Sequence, residues 1–365
     1  MKNVPLIDLT LSKGLNKKIS KAIGEVIESK SYILGSRVES FEKAFAKFLG
    51  VKYAVGVGSG TDALRLALRA LGIGPGDKVL TVAFTSPFTA VAIVEEGSIP
   101  VFCDVDEKTY TIDLANAERK IDKRVKAIIP VHIYGNPCQI DHVLAIAKKH
   151  NLKIIEDACQ AHGAKYKGKR VGIFGDLSAF SFYPTKNLGA FGDGGMIVTN
   201  SSSLAKKIYS LRHGGQTKRF WHVYKGVNSR LDEIQAAVLE IKLKELDKNN
   251  LKRETLAKRY IKELSGLPIT FQKTTHDSKS VYHLFTIRTK KRTPLMNYLG
   301  AGGIGCDIYY PYPTHLQPLF KNYEASSLPT TESLDHELLA IPISPTLSFK
   351  QQDRVIARIR NFFKK

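Results

Sequence analysis

An alternation running through the first two-thirds of the chain constrains its fold more than any other feature. Short apolar, often β-branched runs at Tyr53 to Val57, Lys78 to Val82, Pro100 to Cys103, Ala127 to Val131 and Lys153 to Glu156 are separated by longer stretches of helical periodicity. Two of those stretches are clear. Thr61 to Leu71 sets Leu64, Leu68 and Leu71 on one face, and His142 to Ala147 carries Val143, Leu144 and Ile146 between polar flanks. The alternation predicts an α/β fold, a mainly parallel sheet covered by helices, with ligands bound beyond the carboxyl ends of the strands.

The texture changes near Arg230. From Leu231 to Leu264 there is almost no Gly or Pro, and Ile234, Val238 and Ile241 repeat at helical spacing, which predicts one or two long helices ending before Pro268. Beyond it, a strand-like run from Val281 to Ile287 and a final helix carrying Val355, Ile359 and Phe362 predict a smaller α+β domain. A chain of 365 residues exceeds one comfortable core, so we expect a large domain over 1–250 and a small C-terminal one over 251–365.

Composition excludes several classes. With 43% hydrophobic residues, only 4 Cys and no apolar run near the length of a membrane span, the chain is neither disordered, disulfide-framed nor membrane-spanning. The N-terminus lacks an apolar signal core, and the dispersed cysteines contain no CxxC, so a cytoplasmic location is expected. A formal charge of +21 raises nucleic acid as a partner, but clusters such as Lys167 to Arg170 and Arg288 to Arg292 are scattered and no nucleic-acid motif accompanies them. A lysine-rich solvated surface is the simpler reading, and neither nucleic acid nor membrane is expected as a partner.

Three segments carry chemistry. Gly56 to Asp62 (GVGSGTD) links a strand to a helix; its glycines let backbone amides converge, and Ser59 and Thr61 add hydroxyls, the parts of a phosphate cradle. It is neither a GxxxxGK[ST] nor a GxGxxG segment, and alone it reads equally as a capped turn. Ile154 to Gly163 ends a strand on Asp157, a carboxylate at the sheet rim that reads alone as a site acid or a helix cap. Cys159 and His162 lack an orienting acid for a nucleophile and its base. In Ala179 to Gly195, Lys186 follows an alternating strand in a turn fixed by Pro184, and Tyr183, Leu188 and Phe191 would desolvate its amine. A cradle, a strand-end acid and a desolvated lysine together are what pyridoxal 5'-phosphate requires: phosphate anchor, partner for the pyridine nitrogen, and Schiff-base amine.

Nearly end to end, the sequence resembles the DegT/DnrJ/EryC1/StrS family of sugar aminotransferases, pyridoxal-phosphate enzymes of the aspartate aminotransferase fold type. Pro5 to Asp8 (PLID), Gly58 to Leu64 (GSGTDAL), Pro130 to Gly135 (PVHIYG), Glu156 to Gly163 (EDACQAHG), Ser181 to Gly189 (SFYPTKNLG), Gly192 to Gly195 (GDGG), Asn228 to Ala237 (NSRLDEIQAA), Tyr309 to Pro311 (YYP) and His315 carry the resemblance. It implies that Lys186 forms the Schiff base and moves the proton, Asp157 pairs with the pyridinium nitrogen and Gln160 approaches the ring hydroxyl. Ser59, Gly60, Thr61 and Ser181 would hold the phosphate. Asn228 would reach the cofactor of a neighbouring subunit, implying a homodimer with shared active sites.

Two departures stand out. The slot for an aromatic that stacks on the cofactor holds Ser86, so Phe84 or Phe88 must serve, with Phe88 favoured; Cys159 replaces a common Ala. Relatives that dehydrate a sugar carry His where Lys186 stands, so the resemblance implies transamination of a nucleotide-linked keto-sugar, with glutamate as donor. C-3 of a dTDP-linked 6-deoxy-keto-hexose is the implied position, and Arg230, Tyr310 and His315 are candidate acceptor contacts. Competing readings are a transaminase of a cyclitol or other non-nucleotide ketone, and a polyanion-binding regulatory protein on this fold.

Overall fold

A computed structural model describes residues 3–323 and 327–364. Seven strands form the central sheet: β1 (Tyr53–Val57), β2 (Lys78–Val82), β3 (Ile99–Cys103), β4 (Val125–Ile129), β5 (Lys153–Asp157), β6 (Leu177–Ser181) and β7 (Gly195–Thr199). Their order is β1-β7-β6-β5-β4-β2-β3. Pairing is parallel from β6 to β3, whereas β7 runs antiparallel to both β6 and β1, so β7 alone is reversed. Both faces are covered, and residues such as Val79, Leu80, Ile128 and Ile155 are fully buried, as expected of near-continuous apolar strands.

Helices α1 (Lys13–Ser29), α2 (Ser36–Leu49), α3 (Gly60–Ala70) and α4 (Phe88–Glu95) precede or connect the early strands. In α3, Leu64 and Leu68 are buried while Leu71 lies just past the helix end. The apolar segment after Arg230 is two helices, Glu233–Leu243 and Leu246–Leu264. The second of these carries Leu246 in the core of the large sheet and Leu256, Ala257 and Tyr260 in a separate C-terminal core. That second core also holds Val355 and Ile359 of the last helix, Phe349–Lys364.

The expected strand at Val281 to Ile287 is shorter than its composition suggests. Phe285–Arg288 is the strand, pairing with Thr270–Phe271 and Leu338–Ile341. The amides of Val281 and His283 instead donate to the carbonyls of Gly135 and Tyr134, so that stretch ties the C-terminal region to the loop beyond β4. Among the described residues no helix is long and apolar enough to cross a membrane.

Candidate active site

The carboxyl ends of β5 and β6 and the start of α3 converge, and close packing brings them together. A Cβ on Gly60 would lie 2.7 Å from Ser181 Cβ and 3.0 Å from Cys159 Sγ, and one on Gly195 would lie 2.2 Å from the Ser59 carbonyl oxygen. Only glycine permits these approaches. Ser59 caps α3, its hydroxyl accepting from Asp62 N at 3.1 Å, and Gly60 and Thr61 open the first turn. Ser181 is the last residue of β6, so Ser59, Gly60, Thr61 and Ser181 surround one helix N-terminus with its amides pointing outward.

Asp157 ends β5 and is buried. Its Oδ2 accepts from Thr89 Oγ1 at 2.7 Å and its Oδ1 from Cys159 N at 3.1 Å. Thr89 was not singled out from sequence; it sits one residue inside the start of α4, where nothing but tertiary contact distinguishes it. Gln160 is fixed at both ends, accepting from Tyr134 N at 2.9 Å and donating to the Tyr310 hydroxyl at 3.1 Å. Tyr310 therefore joins the site, while burial pushes its phenol pKa up.

Lys186 lies in the turn after β6, its amide bonded to the Tyr183 carbonyl at 2.9 Å. Its amine makes no hydrogen bond or ion pair among the described residues. Burial pulls its pKa down, against the opposing pull of Cys159 and Asp157. The flanking aromatics do not enclose it as expected: Tyr183 and Phe191 are 52% and 48% exposed, and only Leu188 is buried. Cys159 and His162 are no nucleophile and base. Burial and then Asp157 raise the thiol pKa, and the thiol points at the Ala179 carbonyl. The His162 ring lies between Phe180 and Phe182 with both nitrogens unpartnered, its pKa pushed down to about 3 by burial.

The aromatic candidates differ sharply. Phe84 is buried against Tyr110 and Tyr134, whereas Phe88 opens α4 and is 59% exposed beside Thr89. Asn228 is exposed, and its side chain bonds to nothing among the described residues; its neighbour Ser229 donates to Asp62 and accepts from Gly58 N. The Arg230 guanidinium meets His213 Nδ1 at 3.1 Å. His315 is not brought to this cluster. Its ring is shut in beside Phe102 and bonded to Glu332 at 3.3 Å, a packed position that motif spacing could not reveal.

The sequence pattern described as the DegT/DnrJ/EryC1/StrS aminotransferase family matches residues 14–360. The chain belongs to this family. A pleiotropic regulatory protein of Geobacillus stearothermophilus is 42% identical over 99% of both chains. A dTDP-3-amino-3,4,6-trideoxy-alpha-D-glucose transaminase of Streptomyces venezuelae is 44% identical over 98% of this chain and 96% of its own. Among solved structures, S. venezuelae DesV in complex with a ketimine intermediate superposes with a TM-score of 0.98 at 43% identity, covering both chains fully. The family member described here is accordingly a pyridoxal-phosphate-dependent aminotransferase with the expected α/β fold. Its residues fit that cofactor: a cradle a Cβ would fill, a strand-end carboxylate with acceptor capacity left, and an unpaired, desolvated amine.

Proposed function

We propose that this aminotransferase converts a nucleotide-linked keto-sugar to an amino sugar with glutamate as donor, at C-3 of a dTDP-linked 6-deoxy-keto-hexose. The single observation that carries the site assignment is the unpaired, desolvated Lys186 amine in the electrostatic reach of Asp157. The nucleotide-sugar reading is supported by the S. venezuelae relative, which acts on a dTDP-amino sugar.

When bound, pyridoxal phosphate supplies an electron sink that makes the proton on the donor carbon removable. The α3 N-terminus with Ser59, Thr61 and Ser181 would hold the phosphate, and Asp157 the pyridinium. Gln160, held by Tyr134 and Tyr310, would orient the ring hydroxyl, and the exposed Phe88 would be covered by the ring. Lys186 would take the proton from the donor carbon and deliver it to the cofactor side of the donor nitrogen, which requires the neutral amine that desolvation favours. Asn228, exposed and unbonded among the described residues, would complete the site of a partner subunit in a homodimer. Arg230 and Tyr310 would contact the acceptor, whereas His315, enclosed beside Phe102 and bonded to Glu332, would not.

The test is a panel of nucleotide keto-sugars assayed with glutamate, with the aminated carbon identified. Amination of the dTDP-3-keto-6-deoxy compound above all others is expected; preference for a cyclitol ketone would sink the reading. Mixed dimers of Lys186→Ala and Asn228→Ala chains should regain activity that neither parent has, and silence of the mixture would remove the shared site. The 42% identical regulatory protein motivates one control: tight, steeply salt-dependent nucleic-acid binding would favour the regulatory alternative.

A further inference from the structure

A cavity of about 650 Å³ opens beside Lys186, walled by the N-terminal segment 6–12, the turn that bears the lysine, and residues 343–346. Its charged lining is lopsided, with Lys186, Lys242, Arg253 and two further lysines facing only Asp8 and Glu245. Arg253 is the unusual member. It is only 7% exposed, and its Nη1 donates to the carbonyls of Tyr282, His283 and Ile343 at 3.0 to 3.3 Å. No carboxylate pairs with it among the described residues, and Nε is buried without a partner. His283, equally buried on the same wall, also leaves Nδ1 unpartnered.

Backbone carbonyls satisfy donors but supply no countercharge, so a buried guanidinium held this way is costly until an anion arrives. Three carbonyls sharing the two Nη1 protons pin the group to the backbone and leave the Nε side unbonded. That side of a guanidinium matches the two oxygens of a planar carboxylate. The amino donor must bring its nitrogen to Lys186, and the cavity is the space that lysine and Arg253 both line.

We propose that Arg253 receives a carboxylate of the amino donor, which lies in this cavity with its amino group toward Lys186. The inference rests on the transaminase reading above. It makes Arg253 a donor-specificity residue and assigns the nucleotide diphosphate of the acceptor to other contacts.

The experiment uses the cofactor-loaded enzyme. Glutamate titration, followed by loss of the lysine-bound cofactor's visible band, gives donor affinity, and calorimetry gives affinities for glutarate and for thymidine diphosphate. Arg253→Lys should weaken glutamate and glutarate by about tenfold or more and leave thymidine diphosphate unchanged. Unaltered glutarate affinity, or a parallel loss of nucleotide affinity, overturns the proposal. Should the variant not fold, the wild-type enzyme decides. Glutarate must then compete with glutamate while its neutral diamide does not; equal competition, or none, overturns it. An enzyme whose band responds to no amino donor at all would instead bring down the transaminase reading, and this proposal with it.

Discussion

Strand β5 ends in two neighbouring acids, Glu156 and Asp157, and the contrast between them separates scaffold from site. Alternation along a strand sends them to opposite faces of the sheet. Glu156 accepts from Gly172 N, Phe174 N, Gly175 N, Ser178 Oγ and His132 Nε2, at 2.6 to 3.2 Å. Cys138 N lies 3.0 Å from His132 Nδ1, which leaves Nε2 as the ring nitrogen that donates to the glutamate. Among the described residues Asp157 has two donors, Thr89 Oγ1 and Cys159 N. A carboxylate has about four acceptor positions, so Glu156 is saturated and Asp157 is not. Spare acceptor capacity at a buried acid, rather than burial itself, marks the residue that can take a further partner.

The sharpest way to break this contrast is Glu156→Gln, which leaves several donors facing a weaker acceptor and should cost about 3 kcal/mol or more of stability. Thermal or urea unfolding measures it, and a stability equal to wild type would end the scaffold reading. Asp157→Asn should do the reverse, lowering turnover about a hundredfold or more with little change in melting temperature. Acid should act through Glu156 as well. Burial raises its pKa, but the donors outweigh burial and hold it below the ordinary 4.5. Its contribution is therefore present above that value and is lost as pH falls through the depressed folded pKa; Glu156→Gln should flatten this part of a stability-against-pH curve.

A subtler test concerns Lys186, whose pKa burial lowers. An amine of depressed pKa destabilises the fold while protonated and ceases to do so as pH rises toward the ordinary 10.5. In cofactor-free protein Lys186→Met should therefore be neutral or stabilising near neutral pH, and should remove that rise. A destabilised Lys186→Met would mean the lysine has a structural role. A smaller loss than at Glu156 is expected of Thr89→Ala, about 2 kcal/mol of stability from one lost hydrogen bond to a carboxylate and a several-fold loss of turnover.

Legibility in the sequence followed the range of the interactions concerned. Strands β1 to β5 and helix α3 could be read within a residue or two because their apolar periodicity is local. The GSGTD, EDACQAHG and SFYPTKNLG segments could be read because strand-end turns concentrate chemistry in contiguous residues. The reversed β7, the split of Val281 to Ile287 and the burial of His315 could not, since each depends on partners far along the chain. Thr89 and Arg253 were invisible for the same reason: on their helices they look like ordinary polar residues, and only their tertiary neighbours distinguish them.

By itself, then, the amino-acid sequence determined the α/β class and the pyridoxal-phosphate chemistry, and singled out the lysine, the acid and the cradle proposed to carry it. Tertiary structure alone decided which of two adjacent carboxylates keeps acceptor positions open, which phenylalanine stays exposed, and which arginine is buried beside the lysine without a counterion. The physical reason is that hydrogen-bond saturation and desolvation are properties of a complete surrounding shell, and that shell is assembled from distant segments only when the chain folds.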